Sequence, residues 1–113
     1  MTLKYKIKLH KNPKEKIIEG LKITVRLLNK TDVQDRKLPK GTTGVVITKI
    51  EKDSPLNYLK VNNIIVEAQK KKINTIGDLD NIVKMKLKTS EKTLLIAIYN
   101  NNNQRRYIGV KIN

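Results

Sequence analysis

The stretch GVVITKIEKDSP, Gly44 to Pro55, decides how the rest of the chain is read. Val45 to Ile50 are mostly β-branched, which is a strand composition. Glu51, Lys52 and Asp53 form a charged turn, and Ser-Pro stops the run. Ser54 is a good helix N-cap and Pro55 suits the first helical position, so SPLNYLKV is predicted to be a short helix. A second apolar run, IIVEAQ from Ile64, then reads as another strand.

Upstream, LKYKIKLH places Leu3, Tyr5, Ile7 and Leu9 on one face, a period-two strand pattern. KNPKEK is polar, contains Pro13 and reads as a linker. In IIEGLKITVRLL, Gly20 interrupts an apolar run. Leu21, Ile23, Val25 and Leu27 then alternate with Lys22, Thr24 and Arg26, which predicts a loop at Gly20 and a strand from about Lys22 to Leu28. NKTDVQDRKLPKGTTG reads as a loop.

Downstream, KKKI continues past a turn. NTIGDLDNIVKMKLK carries Leu79, Ile82, Val83 and Leu87 at helical spacing, with Thr75 as N-cap and Asp78 at the capping-box position. KTLLIAIYNNNNQRRYIGVKI is a hairpin around an Asn-rich turn. The expected class is α+β, mainly β, with five or six strands in a mostly antiparallel sheet and two helices.

A chain of 113 residues suits one domain, and 38% hydrophobic residues suffice for one modest core of Ile, Leu and Val. Phe, Trp and Cys are absent, so disulfide scaffolds and Cys-based zinc sites are excluded. No apolar run approaches the roughly 20 residues of a membrane-spanning helix. The alternating N-terminus is not a signal peptide. The net charge of +15 draws the chain toward acidic partners. The lysines are scattered over every segment, however, and Lys, Asn and Ile are abundant together, as in an AT-rich coding bias.

Catalysis lacks its parts. His10 is the only histidine and stands beside the linker, and neither Ser54 nor Ser90 sits in a nucleophile elbow. Asp78 and Asp80 are two apart, so on a helix they point apart and do not make a metal site. No cofactor is implied. KGTTG, Lys40 to Gly44, holds the G-x-x-G spacing of a nucleic-acid clamp, but it enters a strand instead of joining two helices and reads as a turn. The tyrosines Tyr5, Tyr58, Tyr99 and Tyr107 are dispersed. The alternative function carried forward is a small basic nucleic-acid-binding domain. A third possibility is a purely structural domain whose groove is filled by its own N-terminal strand. The remaining feature is the glycine loop before a strand. Amides turned toward one point around Gly20 would bind an anion such as a peptide carboxylate. The strand from Lys22 to Leu27 would then accept an added peptide strand, and an apolar helix face would supply a pocket.

GVVITKIEKDSPLNYLKVNNIIVEAQKKKINTIGDLDNIV resembles the body of a PDZ domain of the HtrA/DegP (protease Do) type. Ser54-Pro55 and Val61 match the family's SPAxxAGL unit, Asn63-Ile64-Ile65 stands at its GDVI, and Ile73, Thr75, Ile76, Asp78 and Leu79 match the start of its long helix. Lys60 replaces a usual glycine, Asn62-Asn63 shortens a turn, and Glu19 stands where many members have an apolar residue. The resemblance covers roughly residues 16–112 and implies a PDZ-like, partly open barrel or sandwich capped by two helices. It implies peptide binding by Glu19, Gly20 and Leu21 as carboxylate loop, by Lys22, Ile23, Thr24 and Val25 as accepting strand, and by Leu79, Val83 and Ile82 as the opposite wall. It further implies a non-catalytic domain, the second PDZ domain of a periplasmic ATP-independent serine endoprotease. Its partners would be peptides, unfolded segments, and other domains or subunits of that protease. Residues 1–15 would be an N-terminal strand and linker resembling the tail of a preceding PDZ domain, and residues 16–113 the domain itself.

Overall fold

Period-two alternation places Ile23 and Val25 in the core and leaves Thr24 and Arg26 half-buried on the opposite face. The computed structural model describes residues 14–112 and builds seven strands and two helices from them. In chain order these are β1 (Glu15–Ile18), β2 (Ile23–Leu27), α1 (Lys30–Asp35), β3 (Val45–Ile50), β4 (Ile64–Ala68), β5 (Lys71–Lys72), α2 (Ile76–Leu87), β6 (Thr93–Tyr99) and β7 (Arg105–Lys111). Every pairing is antiparallel, the sheet runs β1-β2-β3-β4-β6-β7, and β5 pairs with β4. The expected mainly β, α+β class holds. The expected strand Leu3–Leu9 lies outside the described residues.

The main core gathers Ile18, Ile23, Val25, Val45, Ile47, Ile65, Ile96 and Val110, with Leu79 and Val83 of α2. Ile18 comes from the first strand of the sheet and Val110 from the last, so the sheet curls until both edges share one interior. A second cluster on the other face joins Leu28, Leu38, Val46, Ile64, Val66 and Ala97, with Val33 of α1 packed against it. Val45 thus faces one core and Val46 the other, which explains the unbroken apolar run at the start of β3. Gly44 precedes it because a Cβ there would strike the Ile65 carbonyl oxygen, and β3 could not approach β4.

Three expectations of local structure need correction. SPLNYLKV is not a helix but a pair of turns, closed by Asn57 N to Ser54 O at 3.1 Å and Leu59 N to Leu56 O at 2.9 Å. The Ser54 hydroxyl still accepts from Leu56 N at 2.9 Å, as a cap does, and it donates to Leu21 O at 2.6 Å. Leu56 is pulled fully into the core, and Asn62 turns left-handed at φ 79 before β4, so too few residues remain to propagate a helix. Conversely, the expected loop after Asn29 contains α1. Asn29 and Asp32 form a capping box, and the Arg26 guanidinium holds both Asp32 oxygens at 2.8 and 2.9 Å. The linker reading of KNPKEK also fails at its end, because Glu15 and Lys16 belong to β1.

α1 ends with Leu38 N donating to Val33 O at 2.9 Å and Lys37 N to Gln34 O at 3.2 Å, while Lys37 stands left-handed at φ 55. Glycine adopts this conformation without the Cβ cost. Lys37→Gly is expected to raise stability by about 1 kcal/mol in urea denaturation. The Asp32 carboxyl is held below the usual carboxylate range, first by its hydrogen bonds from Arg26 and, against the opposing pull of burial, by the Asn29 amide and the charges of Arg26 and Arg36. A depressed folded-state pKa contributes stability that is present above the unfolded value of about 3.9 and is lost as pH falls through the lower folded value. Asp32→Asn is therefore expected to flatten the acid limb of the stability profile below about pH 4.

Candidate functional site

Four residues, Glu19 to Lys22, turn the chain from β1 into β2. Leu21 N donates to Ile18 O at 3.1 Å and Lys22 N to Glu19 O at 3.2 Å. These two amides, which an anion nest would need, are therefore consumed by the turn itself. The left-handed residue of the turn is Lys22, at φ 53, and not Gly20. Gly20 serves a steric purpose: a Cβ there would stand 2.5 Å from Val83 Cγ1 and 3.0 Å from Leu87 Cδ1. The loop backbone lies directly on α2.

The expected accepting strand is present as β2, but neither of its edges is free. β3 pairs with one side, and β1 pairs with the other through Glu15↔Arg26, Lys16↔Val25, Ile17↔Thr24 and Ile18↔Ile23. Leu21, Ile23, Val25, Leu79 and Val83 do converge, but as fully buried core and not as the lining of an open furrow. Thr24 lies between Ile17 and Lys49 in the sheet, and its carbonyl accepts from the Thr48 hydroxyl at 3.2 Å. Ile82 packs against the same core but is only half-buried. It lines a groove with Gln69, Lys71, Met85, Lys86 and Thr89, beside the β4–β5 hairpin. Sequence reasoning missed the strand that fills the β2 edge. Its one signal was Ile17-Ile18 ahead of the glycine, a pair too short to show a period.

Glu19 is exposed at the loop tip. Lys22 reaches across to Asp53 at 2.6 Å, and this contact, foremost its hydrogen bond, draws the Asp53 carboxyl below its ordinary range. Both side chains are largely solvated, so the pair orients more than it stabilises. Together with Gly20, Pro55 and Lys111 they line a pocket of about 330 Å³ at the mouth of the loop. The buried Ser54–Leu21 hydrogen bond fixes the same loop from below. The turn that opened the sequence reading is thus the brace of the β1–β2 loop.

Among the described residues no group of three His, Cys, Asp or Glu side chains comes together around a metal position. Gly41, at φ 85, sits in a turn closed by Thr42 N to Pro39 O at 3.1 Å, which accounts for the GTTG spacing. Tyr99 and Tyr107 flank the Arg105 guanidinium at 5.8 and 5.5 Å, and Arg105 pairs with Glu67 at 2.8 Å. These rings contact a side chain of the same domain instead of forming an open stacking face.

No family model matches the chain, and no curated protein sequence matches it. Among solved structures the chain is similar to the PDZ domain of HtrA3, crystallised bound to a phage-derived ligand, FGRWV. The TM-score is 0.62 at 17% identity, over 90% of this chain and 88% of that one. The fold is PDZ-like, as the sequence resemblance implied.

The close approach at Gly20 sets a quantitative expectation. Gly20→Ala should cost about 1–3 kcal/mol, because Val83 is buried and stiff at its branch point. The double variant Gly20→Ala/Val83→Ala should lose less than the sum of the two single changes in a denaturation cycle.

Proposed function

We propose that this chain is a PDZ-type module that binds hydrophobic C-termini or extended peptide segments by strand addition at β2, with β1 as a resident strand that the incoming segment displaces. The observation that carries the reading is the β1–β2 ladder: the β2 edge already accepts an antiparallel strand lying against α2. β1 is a weak occupant. It is four residues long, three of them are exposed, and only Ile18 is buried. Few buried apolar contacts and an exposed ladder mark a segment that opens at low cost. The HtrA3 domain was crystallised with a ligand ending in Val, and Ile18, also β-branched, is the β1 residue that enters the core next to the loop.

The finer assignment rests on the sequence resemblance. The domain would be a non-catalytic part, the second PDZ domain, of an HtrA/DegP-type serine endopeptidase of the periplasm or cell envelope. The catalytic residues would lie outside this sequence. A resident β1 also favours a second reading, in which the domain holds protease subunits together and captures no free peptide.

A reversible lock separates the two. Ile17 and Thr24 are directly opposed, and Cα atoms of opposed antiparallel residues lie within disulfide range, about 4.5–5.5 Å apart. The chain has no other cysteine to interfere. Ile17→Cys/Thr24→Cys, reduced, should bind a synthetic FGRWV peptide saturably in a fluorescence titration. Oxidation should weaken that binding at least tenfold. Absence of saturable binding by both the wild type and the reduced variant would sink the peptide reading and leave the assembly one.

A further inference from the structure

We propose that the groove between the β4–β5 hairpin and the outward face of α2 is a second docking site, one that takes an acidic amphipathic segment of a partner protein. Leu79 and Val83 of α2 point into the core, while half-buried Ile82 at the core's margin, Met85 and Lys86 form the side of the helix that lines the groove, with Thr89 just past the helix end. Met85 is 69% exposed, so this side reaches solvent. Across from it stand Gln69 and Lys71, and the space between measures about 260 Å³.

The hairpin wall is held in an unusual conformation. Gln69 and Lys70 connect the paired residues Ala68 and Lys71 with φ 54 and 65, a left-handed pair normally left to Asn and Gly. The turn keeps this shape because Gln69 brackets β6: its N–H donates to Leu95 O at 2.7 Å, and its Oε1 accepts from Leu95 N at 2.7 Å. Strain that is pinned in place beside a groove preorganises that wall.

Charge names the occupant. Lys71 lines the groove and Lys70 stands next to it on the turn, both exposed and with no ion-pair partner among the described residues, while Lys72, opposite Glu67, belongs to the other side of the hairpin. The acidic groups on the helix side are already engaged, Asp80 with Lys84 at 3.0 Å and Glu91 with Lys86 at 3.1 Å. An apolar floor with an adaptable methionine and a cationic rim fits a segment that alternates acidic and aliphatic side chains. The floor is a concavity bounded by two walls, which suits a side chain of a protein segment better than a lipid surface. The site uses no residue of β1 or β2, so it stands whether or not the peptide reading of β2 does.

The test is an amide NMR titration of the full chain with a synthetic glutamate-rich peptide carrying two leucines three residues apart. Saturable shifts should centre on Gln69, Lys71, Met85 and Thr89. The lysine counterpart of the peptide should produce none. Met85→Glu and Lys71→Glu, both at exposed positions, should each weaken the acidic peptide about tenfold while leaving the rest of the spectrum in place. The oxidised Ile17→Cys/Thr24→Cys variant should bind it unchanged. The proposal is overturned by no saturable binding, by equal binding of the lysine peptide, by affinity indifferent to both substitutions, or by loss of binding on oxidation. It is overturned equally if anionic phosphatidylserine vesicles bind in a Met85-dependent manner and the peptide does not.

Discussion

The approach of the Gly20 backbone to α2 is the constraint from which the rest of the domain follows. With no side chain between them, the loop settles on Val83 and Leu87. Seated there, it turns tightly enough for β1 to double back along β2 and drop Ile18 into the core. An ordinary residue at this position would hold loop and helix apart by the width of a methyl group. The same contact that closes the domain therefore also closes the furrow that the sequence pattern suggested. The Ser54 hydroxyl completes the arrangement from the other side, binding the Leu21 carbonyl while accepting from the Leu56 amide. Two connections remote in sequence, the glycine turn and the Ser-Pro turn, thus lock each other, and a buried pair of hydrogen bonds of this kind is costly to leave unmade.

The strands whose apolar residues alternate or cluster were legible because their burial is periodic: β2 and β3 follow the expected ranges closely, and so does the β6–β7 hairpin. α2 was legible because Thr75 and Asp78 cap it as a capping box should and Leu79 and Val83 recur at helical spacing. What escaped was non-periodic. α1 is only six residues long and has no buried residue of its own, so its signal lay wholly in Asn29 and Asp32. The Ser-Pro segment presented a helix start whose continuation was overruled by the burial of Leu56, a tertiary demand invisible to local propensity.

The site was legible in composition and not in state. The residues named for it from sequence do cluster, yet a period-two pattern says only that Ile23 and Val25 face inward. It cannot say whether the strand beside them belongs to the same chain. Lys16, opposite Val25, is an exposed lysine and looks nothing like the partner of a core valine, which is why β1 passed for linker. From sequence Gly20 suggests a nest of converging amides, whereas in the structure its contribution is the absence of volume and the left-handed turn residue is Lys22. A glycine in a sequence does not distinguish these two roles, and only the neighbouring helix does.

A resident strand changes what affinity means for such a domain. β1 is joined to the β2 edge by four residues, so it competes at an effective concentration on the millimolar scale expected of short tethers. Under the proposed strand addition, a peptide would meet an available edge only in the fraction of molecules where β1 has opened, and its apparent dissociation constant would rise by the reciprocal of that fraction. If one molecule in about a hundred is open, a ligand loses about a hundredfold in affinity. That penalty is tolerable for a ligand delivered at high local concentration, as from a neighbouring domain or subunit, and severe for a dilute free peptide. The weakness of β1, with one buried side chain in four, sets how large the open fraction is. On the proposed reading, whether such a domain would capture chain ends or fasten an assembly turns on the stability of a single short strand, and the two roles would lie on one continuous scale of β1 occupancy.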